Sequence, residues 1–269
     1  MRWILLLGLG VALYGGRGQM VLIGGGPKPE AAMTRFVQAA GGAEALILIV
    51  PTASELADTG EFYCNLFKEL GCKQVVALDL AEVSDASDEE NLALVARCGG
   101  IFFAGGDQRR ITAALLNTPL LEELRRAFER GCAIGGTSAG TACMSRWMIT
   151  GDGDFDRITA ENVVVTEGLG LFPHAILDQH FVARQRQNRL IAAVLERPEL
   201  LGIGIDEGTA VWLKEDLTLE VIGEGWVVVY DASDALAERQ GLRWSALNLK
   251  VHIMVNGQQF HLPTRRPIL

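Results

Sequence analysis

Short uninterrupted apolar runs alternate with amphipathic stretches along the first two-thirds of the chain. Residues 21–23, 45–50, 75–78, 100–103 and 132–135 read as strands buried on both faces. Between them, 29–40, 62–70, 89–96 and 115–130 have helical spacing, and Gly41, Gly71 and Gly131 stop three of these helices. The last places Leu120, Leu121, Leu124 and Phe128 on one face. Strand and helix in strict turn predict an α/β fold: a mainly parallel sheet with helices on both faces. After about residue 205 the pattern changes. Residues 209–213, 217–222, 226–230 and 251–255 read as strands joined by short turns, an antiparallel extension of the same sheet. No linker, repeat or low-complexity segment interrupts the chain, so residues 20–269 are expected to form one domain.

Residues 1–19 differ from the rest. Arg2 precedes the charge-free run 3–14, which is too short to span a bilayer, and Gly15, Gly16 and Gly18 follow. This is the layout of a secretory signal peptide, with Arg17 as a departure in the segment before the cut. The other readings are a true start at Met20 or a buried first strand. Cleavage would remove Arg2, Arg17 and no acid, taking the net charge from −9 to −11. Export to the periplasm or medium is expected if the segment is cut, and a cytoplasmic location if it is not.

That acidity argues against a partner held by phosphate neutralisation, so no nucleic acid is expected. Nor is stable membrane insertion. The five cysteines, Cys64, Cys72, Cys98, Cys132 and Cys143, form no C-x-x-C pair and have no histidine in zinc-finger spacing. They read as small hydrophobes rather than as metal ligands or a disulfide framework. The 31 glycines point to tight turns.

One such turn carries chemistry. Gly136-Thr137-Ser138-Ala139-Gly140 fits G-x-S-x-G, with an apolar strand before it and a helix-prone stretch, 141–147, after it. A strand turning sharply into a helix pushes its serine outward, and only small neighbours leave room. Ser138 is thus a candidate nucleophile, with the Ala139 N–H as an oxyanion donor. Gly105-Gly106-Asp107-Gln108 follows strand 101–104, and in a parallel sheet it would share the same carboxyl edge. Its N–H groups are candidates for the second oxyanion donor, and Gln108 for a substrate contact.

Four histidines are present: His174, His180, His252 and His261. His180 stands among polar residues just before Arg184, Arg186 and Arg189, as a base with a near-neutral pKa should. If the segment is helical, His180 and Arg184 share a face, as do Arg186 and Arg189. The arginines suit bidentate binding of carboxylates. The third member of a triad must be an acid that holds the imidazole. Asp152, Asp154, Asp156, Asp178, Asp206 and Glu207 all qualify, and spacing does not choose. Glu207 closes a buried-looking strand, whereas 152–156 reads as a solvated turn.

Together these segments resemble the cyanophycinases of peptidase family S51, whose fold looks like that of class I glutamine amidotransferases. The likeness spans roughly residues 20–262. It rests on the Gly105 turn, the Ser138 elbow, Asp178-Gln179-His180-Phe181 with its three arginines, and Gly204-Ile205-Asp206-Glu207-Gly208-Thr209-Ala210. It implies a serine exopeptidase that releases β-Asp-Arg from cyanophycin, a polyaspartate with arginine on each β-carboxyl. It also implies Ser138 as nucleophile, His180 as base and Glu207 as orienting acid. Gln108, Asp178, Gln179, Arg184, Arg186 and Arg189 match the family's substrate pocket. A homodimer is implied, and no metal or organic cofactor. Two departures are Thr141, often Ala or Gly in relatives, and Gln185, Gln187 and Asn188, where relatives often carry Gly between the arginines. A peptidase E-like aspartyl or isoaspartyl dipeptidase and a non-catalytic binding protein on the same fold are the other readings.

Overall fold

The computed structural model describes residues 18–78, 80, 83–153, 156–161 and 163–268. The charge-free run 3–14, together with Gly15, Gly16 and Arg17, lies outside the described residues. Gly18 and Gln19 lie within them and belong to the fold: the Gln19 carbonyl accepts from Ile134 N–H, and its side chain accepts from Trp212 Nε1.

The first half is built of strands β1 (Met20–Ile23), β2 (Leu46–Val50), β3 (Gln74–Ala77), β4 (Gly100–Phe103) and β5 (Ala133–Thr137). They are connected through helices α1 (Glu30–Ala39), α2 (Thr59–Glu69), α3 (Glu89–Arg97), α4 (Gln108–Leu115) and α5 (Pro119–Glu129). The strands pair in parallel in the order β1-β5-β4-β2-β3. Phe102 and Phe103, adjacent on β4, point to opposite faces. Phe102 joins Phe36 and Phe67 in an edge-on cluster with ring centroids 5.3–5.5 Å apart. Phe103 packs with Ile111, Leu120 and Leu124 on the other side. Each of these fully buried rings contributes about 1.5–3 kcal/mol relative to exposure.

The helix expected over 115–130 begins only at Pro119, and a separate helix, α4, precedes it. Asp107 caps α4 by accepting from Arg109 N–H, the chain breaks at Asn117 (φ 61°), and Thr118 caps α5 with Pro119 in its first turn. Gln108 therefore sits on a helix start, not in the glycine turn.

The second half comprises α6 (Ala139–Ala142), β6 (Trp147–Gly153), β7 (Val163–Glu167), β8 (Ala175–Gln179), α7 (Gln187–Glu196) and β9 (Leu201–Ile205). After them come β10 (Thr209–Leu213), β11 (Thr218–Gly223), β12 (Val227–Asp231), β13 (Leu236–Gln240) and β14 (Arg243–Leu247). The chain ends with β15 (Lys250–Met254), β16 (Gln259–His261) and β17 (Arg266–Ile268). Strands β10 and β11 extend the large sheet in antiparallel fashion beyond β1, as the pattern predicts, and β16 and β17, which the pattern does not mark, continue it. Strands β12 and β15 do not: they join β9 and β8 in a separate four-stranded sheet. Apolar alternation marks a strand as buried but does not name the sheet it joins. Residues 147–153, which link the stretch read as helix-prone (141–147) to the one read as a turn (152–156), form a strand, and α6 is one turn long.

The carboxyl ends of the two sheets meet around β1. Ser138 N–H donates to the Ile23 carbonyl, His180 N–H to Gly24 and Phe181 N–H to Ile205. The residues after β5, β8 and β9 are thereby gathered within one neighbourhood. Among the described residues no helix is long and apolar enough to cross a membrane.

Candidate active site

Ser138 sits in the sharp turn from β5 into α6 with φ 52° and ψ −112°, a conformation non-glycine residues rarely hold. The turn survives because its neighbours are small. A Cβ on Gly140 would lie 2.2 Å from the Phe103 carbonyl oxygen. Thr141, the departure noted at this helix, is fully buried and satisfied: its hydroxyl is within hydrogen-bond range of the Ile23 carbonyl at 2.7 Å and the Gly136 carbonyl at 3.0 Å.

The Ser138 hydroxyl donates to His180 Nε2 at 2.8 Å, and His180 Nδ1 meets Glu207 Oε1 at 2.5 Å. With a carboxylate accepting at Nδ1–H, the Nε2 lone pair faces the serine. Gln179 Oε1 stands 3.4 Å from Ser138 Oγ, too far to compete for its proton. Burial pushes the His180 pKa below its ordinary value, the Glu207 hydrogen bond works against that shift, and Arg184 and Arg186 reinforce it.

Of the acids that spacing left open, Glu207 reaches the imidazole. Asp206 is buried and accepts from Val182 and Ala183 N–H, holding the turn after His180. Asp152 lies on β6 and pairs with Arg109. Asp178 pairs with Arg189, Asp156 is exposed, and Asp154 lies outside the described residues.

The segment after His180 is a tight turn rather than a helix. His180 and Gln185 hold φ of 49° and 52°, and α7 begins only after Arg186. The arginines consequently diverge. Arg184 is exposed beside His180. Arg186 is half-buried and donates from Nη1 to both the main-chain and side-chain oxygens of Gln179 at 2.8 Å. Desolvation and, secondarily, Arg189 push its pKa down to about 10, so it stays cationic at neutral pH. Arg189 and Asp178 face one another in the core, each side chain 1% exposed, with Nε to Oδ2 at 2.7 Å and a second bond closing the fork. A pair so buried does not meet a substrate directly. It anchors the strand end that carries Gln179 and His180.

Gln108 is likewise buried, and its amide donates to the Ile149 and Thr150 carbonyls of β6. Gly105 faces the serine: a Cβ built there would lie 3.9 Å from Ser138 Oγ, whereas Gly106 packs against the Ala53 carbonyl. Ala139 opens α6, where an N–H has no intrahelical acceptor.

The glycine run 24–26 carries no candidate chemistry in the sequence. These glycines form the bed of the histidine. A Cβ on Gly25 (φ 118°) would fall 2.3 Å from the imidazole Cε1, and the Gly25 carbonyl accepts from Gly208 N–H beside Glu207. The legible signal was their position at the end of a parallel strand, next to the Ser138 strand.

Asp178→Ala is expected to destabilise the protein, because it strands the Arg189 guanidinium in the core. Breaking a buried pair costs about 3–5 kcal/mol, and in a protein of this size that lowers the melting temperature by roughly 10 °C. A thermal scan that shows no shift would mean the pair is not buried in solution.

A strained serine bonded to a histidine, itself bonded to a carboxylate, on the carboxyl edge of a parallel sheet is an arrangement that serine hydrolases use. The chain belongs to peptidase family S51, whose model matches residues 20–221. It is 38% identical over 262 residues to a cyanophycinase of Synechococcus elongatus, covering 94% of this chain and 81% of that protein. It is 36% identical to a cyanophycinase of Geminocystis herdmanii, covering 94% and 96%. Among solved structures, a peptidase from an acI-B1 Actinobacterium superposes with TM-score 0.69 at 23% identity, covering 91% of this chain and 96% of that one. A putative peptidase E protein from Listeria monocytogenes gives 0.56 at 18%, covering 77% and 98%. At such identities these two likenesses speak for the fold alone.

Proposed function

We propose that the protein hydrolyses cyanophycin to β-Asp-Arg dipeptides as a serine exopeptidase. One observation carries this reading: the continuous Ser138–His180–Glu207 chain of hydrogen bonds, in a protein whose relatives at 36–38% identity are cyanophycinases.

His180 Nε2 takes the Ser138 proton as Oγ bonds to the scissile carbonyl carbon. Glu207 accepts from Nδ1–H throughout and stabilises the imidazolium. N–H groups of Ala139 and of Gly105 or Gly106 hold the oxyanion. The C–N bond breaks as His180 returns the proton to the leaving amine. Water, deprotonated by the same imidazole, then releases the acyl group and restores Ser138. Arg184 and Arg186 meet substrate carboxylates, and Gln179 offers its amide beside the serine. Asp178 and Arg189 position this strip. Gln108 contributes through β6, which it holds in place. Residues 20–269 work as one unit, exported when 1–19 are cut. The unit pairs as a homodimer, a reading supported by edge strand β15, where Ile253 is 68% exposed.

The test is digestion of insoluble cyanophycin with mass spectrometry of the products. Release of β-Asp-Arg supports the reading. Turnover of Asp-X or isoaspartyl dipeptides with the polymer left intact would replace it by the dipeptidase one.

Two further outcomes are expected. His180 must be neutral to accept a proton, and its pKa is depressed, so activity is full at neutral pH. It falls only as pH drops through a value below 6.5, the unperturbed pKa of histidine. A kcat/KM profile whose acid limb lies above that value would contradict the assignment. Gly25→Ala should displace the imidazole from Ser138 and lower kcat by about 100-fold, the usual cost of a 1 Å misplacement. Unchanged kcat in that variant would show that the glycine bed is not needed.

A further inference from the structure

The carboxyl ends of β2 and β3 open onto a cavity of about 630 Å³ that the site described above does not use. Its floor is apolar, formed by Pro51 and Leu78, and its rim carries Glu55, Glu61 and Arg110. Thr52 Oγ1 lies in its wall, shut off from solvent and without a hydrogen-bond partner among the described residues. The rim holds both signs of charge in a loose arrangement: Arg110 and Glu55 approach only to 3.7 Å, and both are exposed.

The cavity shares a wall with the candidate active site. The Ala53 carbonyl, between Thr52 and Ser54, accepts from Asp107 N–H at 2.9 Å, and a Cβ on Gly106 would sit 2.0 Å from that oxygen. Two strand spacings, about 10 Å, separate the end of β2 from the end of β5, where Ser138 stands.

We propose that this cavity is a second binding site for the substrate polymer, and that it receives one arginine unit a few residues from the bond being cut. The inference rests on the function proposed above. Arginine joined to a β-carboxyl through its α-amine keeps a free α-carboxylate and a guanidinium, so each side chain of the polymer is a zwitterion. A rim with one guanidinium and two carboxylates complements it. Arg110 takes the carboxylate, and Glu55 and Glu61 take the guanidinium. An extended residue spans at most about 3.3–3.6 Å, so roughly three residues of backbone cover the distance from Ser138. A second hold of this kind keeps the protein on a long chain and does nothing for a short one.

The test measures binding in the Ser138→Ala background, which prevents turnover, using a soluble β-Asp-Arg oligomer of about eight units and the two-unit compound. Adding Glu55→Gln with Glu61→Gln is expected to raise Kd for the oligomer about tenfold and to leave the two-unit Kd unchanged. Arg110→Gln, with a thermal scan to confirm folding, should act in the same direction. An unchanged oligomer Kd, or an equal loss for both ligands, overturns the proposal. Turnover of cyanophycin by the unmodified protein is measured alongside. Its absence would reject the proposed activity without altering the binding comparison.

Discussion

Ser138→Ala is expected to lower kcat on cyanophycin by about a millionfold, the loss typical of removing the nucleophile from a triad that acts as a unit. The physical reason is that no other group in the turn can form the acyl bond. His180 would then face a methyl group 42 residues away in sequence but adjacent in space. Folding should survive. The hydroxyl is half-buried at the site, and alanine inherits the same backbone strain at φ 52° without adding bulk. The paired measurement is kcat from β-Asp-Arg release and the melting temperature. Near-normal turnover would end the serine mechanism. Lost turnover with a collapsed melting temperature would leave that mechanism without this support, and a Ser138→Cys variant would then be the comparison.

Glu207→Gln is expected to cost about 10⁴-fold in kcat, the effect seen when an orienting carboxylate becomes an amide and the imidazole loses its productive tautomer. Stability should change little, since the Glu207 side chain is 37% exposed and no charge is stranded. The variant also carries a signature that a structural defect would not. The Glu207 hydrogen bond raises the His180 pKa, so its loss moves the acid limb of the pH profile to lower pH. Asp152→Asn is the control, because it touches only the contacts of Asp152 with Arg109 and Thr150, away from His180. A greater loss at Asp152 than at Glu207 would move the third member of the triad into the β6 region.

The Ser138 elbow was legible because it is local. An apolar strand, two glycines around a serine and a short helix are consecutive in the chain, and steric crowding alone dictates the turn. The parallel sheet, though not the order of its strands, followed for a similar reason: short uninterrupted apolar runs alternating with helices read as strands covered on both faces. The acid was not legible from spacing; Glu207 was favoured only by its place after an apolar strand and by the family resemblance. Six carboxylates had suitable surroundings in sequence, and what separated Glu207 from Asp206, one residue away, is that successive residues leaving a strand point in opposite directions. The arginines show the same limit. Read as a helix, they form two faces, Arg184 with His180 and Arg186 with Arg189. The left-handed turn at His180 and Gln185 sends Arg189 into the core and leaves Arg184 in solvent.

The amino-acid sequence by itself determined the α/β class, the serine elbow, the histidine and the family, since each depends on patterns within a few consecutive residues. Only the tertiary structure decided which acid holds the imidazole, which arginines are free to meet a ligand, and that β12 and β15 leave the main sheet. It also brought the Gly25 turn beneath the histidine. His180 and Glu207 are 27 residues apart and Gly25 lies far earlier in the chain, and these contacts are set by how two sheets converge on the end of β1. No local pattern encodes that convergence, because it depends on the packing of both cores at once.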